Sequence, residues 1–313
     1  MAAKTILTLT CNPCIDKGFS VERVLPDKKL RATDIRRDPG GGGINVSRVI
    51  KRLGGETVAW GMAGGAAGEM LKRLLDAESI TYRFVPIRGE TRINTTVFER
   101  ATGAEYRFSM PGPRVSEDEL DLLLSIIHAI EEKFAMVVFS GSLQPDIPGD
   151  FYARLIAGAH KAGIKTLVDA SGESLLEALT ARPFLIKPNR SELEALVQHP
   201  VSGTAEALAA AREVIARGCE MVLVSLGADG AIAVTADRAF CANAPPVVAK
   251  SRVGAGDSLM GAFALKLAQE APLPEALAYG VAAGSAAALT PGTELCRAED
   301  VRAVLPQVDV DEL

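Results

Sequence analysis

Short apolar, β-branched runs alternate with helix-patterned segments over nearly the whole chain, and that alternation constrains the fold more than any other feature. TILTLT (5–10) reads as a buried strand and INVSRVIKRLGG (44–55) as a helix closing on glycine. TVAWGMA with GEMLKRLLDAES repeats the cycle, and MVVFSG, KTLVDA, FLIKPN and MVLVSLG continue it between further helical stretches. The helix over 116–132 has a marked start, because Ser116 followed by Glu119 forms a capping box. Strands that are apolar on both faces must be covered on both faces. The pattern therefore predicts an α/β chain with a mostly parallel sheet in a three-layer α/β/α sandwich. The 313 residues suffice for one large core, and no linker, repeat or low-complexity tract divides them, so a single domain over 1–313 is expected.

Two stretches break the rhythm. Residues 17–38 are polar with short strand-like pieces, and 92–110 reads as a hairpin turning near Thr102-Gly103. Both adjoin glycine-rich loops, so these strands, within about 17–38 and 91–110, are expected to form a small β lid over a site.

Charge and cysteine usage narrow the function classes. Lys and Arg number 34 against 39 Asp and Glu, a mildly acidic balance without the basic patch of a nucleic-acid binder. The N-terminal apolar run is too short for a signal-peptide core, and the weakly polar stretch 276–290 falls short of a bilayer span. A soluble, cytoplasmic protein with no membrane partner is expected. Five cysteines without framework spacing fit reduced thiols. Cys11 and Cys14 have the C-x-x-C spacing of a redox pair, but such a pair opens a helix, whereas IDKGFSVERV reads as strand and loop.

The glycine-rich loops are not the common nucleotide-binding ones. No G-x-x-x-x-G-K-[ST] string occurs, and the first strand runs into CNPCID instead of a dinucleotide fingerprint. PGGGGINVSR (39–48) puts four glycines before a helix, where bare backbone can approach a ligand and the helix start favours an anion or hydroxyls. Asn45, at the helix entry, can both donate and accept. In VGAGDSLMGAFALKL (253–267) a helix opens at about Gly254, so the N–H groups of Gly254, Ala255 and Gly256 can converge on an anion. Asp257 beside them suits a base that takes a proton from a hydroxyl attacking a phosphoryl group. A carboxylate serving only the helix dipole would leave the glycines without a reason. His128, His160 and His199 fall outside these motifs.

Taken together, GGGGINVSR and VGAGDSLMGAF resemble the paired signatures of the ribokinase-like, PfkB-type sugar kinases. The similarity extends through NPCID, TRINTTV, YRFSMPGP, SGSLQPD, IKPNRSELEALV, VSLGADGA and GVAAGSAAALTPGT. The resemblance implies a ribokinase-like fold, ATP and Mg²⁺, and a ketohexose phosphate as acceptor. It makes Asp257 the catalytic base and Gly254, Ala255 and Gly256 the anion hole. Asp16, with Gly41, Gly42 and Asn45, would bind sugar hydroxyls, and Ser140 would line the sugar pocket. Arg92 would contact the substrate phosphate, with Lys29 and Arg31 reaching it from the lid of a second subunit in a homodimer. Asn189 and Glu192, the family's N-x-x-E, would organise Mg²⁺ and the ATP phosphates, partly through water. Taken alone, these two are equally a helix cap and its N3 residue. Lys187, Ser225 and Gly227 would flank the nucleotide, with Gly284 and Ser285 at its adenine side. Ser251, Val253, Ala287, Thr290, Gly292 and Glu294 would form a loop for a monovalent cation such as K⁺, several through main-chain carbonyls.

The sugar follows from finer resemblance. Family members acting on fructose 1-phosphate or tagatose 6-phosphate usually carry lysine where this chain has Gly42, which points to fructose 6-phosphate phosphorylated at its 1-hydroxyl. Gln144, Asp146 and Cys14 depart from the family pattern on the sugar side and bear on substrate preference. Arg92, Lys29 and Arg31 speak against an uncharged nucleoside. A non-catalytic sugar-phosphate sensor is the alternative of another class, and the intact Asp257 with its glycines argues against it.

Overall fold

The computed structural model describes residues 5–130, 134–251, 253–290, 292 and 294–313. Its large sheet contains β1 (Thr5–Thr10), β4 (Thr57–Ala63), β5 (Thr81–Pro86), β8 (Phe134–Ser140), β9 (Lys165–Asp169), β10 (Leu185–Ile186) and β11 (Met221–Ser225), all parallel. Three antiparallel strands, β12 (Ala231–Thr235), β13 (Ala239–Ala242) and β14 (Val310–Glu312), extend one edge. The order is β14-β13-β12-β11-β10-β9-β8-β1-β4-β5. A second sheet has the order β3-β2-β6-β7, from β2 (Cys14–Val21), β3 (Thr33–Gly40), β6 (Arg92–Glu99) and β7 (Glu105–Phe108). The two polar stretches that break the sequence rhythm supply it, and the β6–β7 turn uses Gly103 at φ 72°.

The strands read as continuous apolar runs because both faces of the sheet are buried. Leu7, Leu9, Val137 and Phe139 face a layer of α3 (Glu117–His128), α4 (Phe151–Lys161), α5 (Glu173–Thr180), α6 (Arg190–Val197) and α7 (Thr204–Ala216). The intervening Ile6, Met136 and Val138 face α1 (Gly42–Arg52), α8 (Ala255–Ala268) and α9 (Leu273–Ala288). α2 (Gly65–Ala77) covers β4 and β5 with Ala67, Leu71 and Leu75, and α10 (Ala298–Val304) packs on α9. The capping box expected at α3 is present, with Ser116 and Glu119 bonding reciprocally. This is the three-layer arrangement the alternation predicts.

From β1 the chain moves outward through β4 and β5, then returns to the other side of β1 and continues through β8, β9, β10 and β11. The order therefore reverses between β1 and β8, and the crevice beyond the carboxyl ends of such strands is where open α/β sheets take ligands. Among the described residues no helix is long and apolar enough to cross a membrane, and no cluster of three or more His, Cys, Asp and Glu is arranged to hold a metal ion. Cys11 and Cys14 are both buried, and burial pushes both thiols up, the opposite of what a redox thiolate needs.

Candidate active site

The four-glycine run closes the crevice by contact. Gly41 takes φ 108° as the N-cap of α1, a conformation open to glycine. A Cβ at Gly40 would strike the Asp16 carboxylate, and one at Gly42 would strike Ser140 Oγ at the end of β8. One at Gly43 would sit 2.6 Å from Thr10 Oγ1 and 2.8 Å from the Leu9 carbonyl. The glycines therefore let α1 start directly against β1, β2 and β8. On the second-sheet side of the same cleft Asp16 Oδ1 accepts from Asn94 Nδ2 at 3.1 Å, a pairing set by the parallel register of β2 and β6. Arg92, at the start of β6, donates to the carbonyls of Met110 (2.8 Å) and Asn12 (2.9 Å), while its buried Nε has no partner among the described residues.

Asp257 lies in the first turn of α8, behind an N-cap at Gly254 with φ 75°. Its Oδ2 accepts from Asn45 Nδ2 at 2.9 Å. Burial lifts its pKa to about 6, helped by the neighbouring charges of Asp169 and Asp16; the Asn45 hydrogen bond and Lys187 act in the opposite direction. The group is thus charged at neutral pH yet close enough to titration to accept a proton. Asn45 is held in turn by Arg48, whose Nη1 reaches Asn45 Oδ1 at 3.4 Å and the Pro39 carbonyl at 2.9 Å. Arg48 is 1% exposed, and Glu78 neutralises it through bonds of 2.6–3.0 Å.

Across the carboxyl ends of β9, β10 and β11 the second half of the cleft forms. Lys187 Nζ and Asp169 Oδ1 are 3.0 Å apart, the lysine buried and the aspartate mostly so. Burial opposes the lysine's charge, but Asp169, with Asp257 and Glu192 further off, holds its pKa above the ordinary value. A Cβ on Gly256 would lie 3.4 Å from that Nζ, so the lysine sits beside the glycine turn of α8. Asn189 caps α6: its Oδ1 accepts from Glu192 N at 2.9 Å while Glu192 Oε2 accepts from Asn189 N at 2.8 Å. The capping role and a cleft position thus coexist, for Asn189 also bridges Ser225 at the end of β11. Gly227 follows at φ 67°, and Gly284 of α9 comes close to the Ala255 carbonyl at the start of α8, with Ser285 buried beside it.

A profile of the pfkB family carbohydrate kinases matches residues 10–300. The chain belongs to that family. This pfkB kinase is 43% identical to the ATP-dependent 6-phosphofructokinase isozyme 2 of Escherichia coli K12, over 96% of its own length and 97% of the relative. It is 34% identical to the 1-phosphofructokinase of Bacillus subtilis 168, over 98% of this chain and all of that one. The crystal structure of E. coli phosphofructokinase-2 in complex with potassium superposes with a TM-score of 0.92 at 42% identity, covering 97% of this chain and 98% of the other.

In this pfkB kinase some of the residues expected around a monovalent cation make local contacts with one another. Thr290 Oγ1 donates to the Ala287 carbonyl at 2.8 Å and also contacts the Glu294 carbonyl; Ser251 Oγ accepts from Val253 N at 3.2 Å; and Gly292 has φ 60°. The Glu294 side chain points elsewhere, pairing with Arg36 at 2.9 Å and Arg297 at 2.6 Å. Lys29 and Arg31 are not brought to the cleft of their own chain: they lie exposed between β2 and β3. Three participants were not singled out from the sequence. Asp169 had a signal, a carboxylate ending an apolar parallel strand. Arg48 and Arg36 had none, since the glutamates that pair with them, Glu78 and Glu294, lie 30 and 258 residues away.

Proposed function

We propose that this chain transfers the terminal phosphoryl group of ATP to the 1-hydroxyl of fructose 6-phosphate, giving fructose 1,6-bisphosphate. The observation that carries the reading is Asp257: a carboxylate with a pKa lifted to about 6, fixed by Asn45 and set against the bare N–H groups of Gly254–Gly256. Such a base takes the hydroxyl proton as the oxygen attacks, and the helix N-terminus stabilises charge on the transferred group. Asp16, with Asn45, Gly41, Gly42 and Ser140, orients the sugar. Arg92, at the start of β6, meets its phosphate. Lys187, Ser225, Gly227, Gly284 and Ser285 border the nucleotide.

Glu192 and Asn189 would hold Mg²⁺ through water, with Asp169 alongside. Their hard oxygen donors suit such an ion. When bound, the ion neutralises charge on the phosphates. The Ala287 and Glu294 carbonyls, meeting at one hydroxyl, suit a monovalent ion such as K⁺. The second sheet acts as a lid within a single domain, excluding water so that the sugar hydroxyl is the acceptor. A cytoplasmic homodimer would pair the lids. The test is ADP release from MgATP with fructose 6-phosphate, fructose 1-phosphate and tagatose 6-phosphate. Preference for fructose 6-phosphate supports the reading. Preference for fructose 1-phosphate makes the chain a 1-phosphofructokinase, and binding without turnover makes it a sensor.

A further inference from the structure

Arg36 lies midway along β3, the strand that leads into the four-glycine run, and each of its three guanidinium nitrogens contacts a carboxylate. Nε and Nη2 clasp Asp38 at 2.7 and 3.0 Å, while Nη1 reaches Glu294 at 2.9 Å, 258 residues along the chain. Each of these contacts continues to the start of α8. Asp38 lies 3.5 Å from Arg48, which holds Asn45, which holds Asp257. Glu294 is followed by Leu295, whose carbonyl accepts from Arg52 at 3.3 Å and whose Cδ2 would be 2.5 Å from a Cβ on Gly254. Leu295 therefore backs the glycine that opens α8 and fills the space a side chain there would need. Both Glu294 carboxylate oxygens are used, one by Arg36 and one by Arg297.

We propose that Arg36 is a positioning residue. Its ion pair with Glu294 latches the root of the second sheet to the segment that backs the α8 N-terminus, so the sugar side and the phosphate side of the cleft are set against one another. The proposal rests on the phosphotransfer reading for its kinetic consequence, though not for its structural one. Partly exposed pairs are individually weak, but this one closes a network, and a small misalignment of base against anion hole acts on the transition state more than on the bound substrate.

The experiment is a double-mutant cycle of Arg36→Gln and Glu294→Gln, with Arg238→Gln as control, since Arg238 pairs comparably with Glu312 on the far β13–β14 edge. Each single substitution should lower kcat about 2- to 5-fold with little change in either KM. The double variant should be no worse than the singles, and 0.5 M salt should erase the difference. Amide hydrogen exchange over Gly254–Ser258 should quicken in both singles and not in the control. Additive losses, an unchanged kcat, or unchanged exchange over Gly254–Ser258 would each overturn the latch. If the unmodified protein turns over none of the sugar phosphates, the kinase reading has failed and exchange alone decides the latch.

Discussion

Asp257 carries opposite consequences for activity and for stability, which makes it the most informative residue to change. Its pKa of about 6 predicts that kcat/KM falls roughly tenfold per unit as pH drops below that value; a profile flat down to pH 4.5 would remove it as the base. A carboxyl whose folded pKa lies above its unfolded value destabilises the fold when ionised. Its contribution to stability is therefore most favourable below the unfolded pKa and is lost as pH rises towards 6 and beyond. Asp257→Asn should accordingly lose about 10²–10⁴-fold in kcat yet melt at a higher temperature than the unmodified protein at pH 8, with the gap closing at pH 4. A variant that is inactive because it is unfolded would show the reverse. Asp257 and its glycines were legible in the sequence because they form one local motif whose residue types make sense only together. Arg48 was not: a helix pattern shows which face is apolar, and it gives no sign that an arginine on α1 is buried against Glu78 at the C-terminal end of α2.

Among the elements, the α1–α8 contact decides whether Asn45 meets Asp257. Gly261 makes it possible, since a Cβ there would lie 2.9 Å from Val49 Cγ1 and 3.1 Å from the Val46 carbonyl. Gly261→Ala should cost about 1–3 kcal/mol through overpacking, read as a lower melting temperature. It should also lower kcat, because prying α1 from α8 lengthens the Asn45–Asp257 bond. A melting point unchanged within a degree would mean that the helices absorb a methyl group without separating. The sequence showed both helices and their glycines but not this crossing, which depends on tertiary placement. The parallel direction of the central strands was legible from the alternation, but the antiparallel edge was hidden. The apolar runs of β1, β8 and β11 announce burial on both faces, whereas the antiparallel edge ends in β14, Val310–Glu312, whose VDE carries almost no strand signal.

For the whole molecule, the second sheet poses the main question. One of its faces turns Asp16 and Asn94 to the cleft. Strand alternation puts Phe19, Val21 and Val97 on the other, where with Val24, Leu30 and Phe108 they line a cavity of about 410 Å³. Phe108 is 51% exposed and Leu25 45%, an apolar surface that a second copy of the chain would cover. Sedimentation should then give twice the 32.9 kDa chain mass, and Phe108→Asp, a change at an exposed position, should halve it without unfolding the protein. Lys29 and Arg31, exposed and away from their own cleft, would then serve the partner's site. A mixing experiment separates that arrangement from a dimer with two self-sufficient sites. Subunits with Asp257→Asn keep both cations but lack the base, and subunits with Lys29→Ala and Arg31→Ala keep the base but lack the cations. Each alone should turn over fructose 6-phosphate poorly. Co-refolded, they create one site with an intact base beneath intact cations from the neighbour, so activity should rise above the sum of the separate preparations. If it does not rise while mixed dimers form, Lys29 and Arg31 act within their own subunit, and the lid must bring them to its own cleft when it closes.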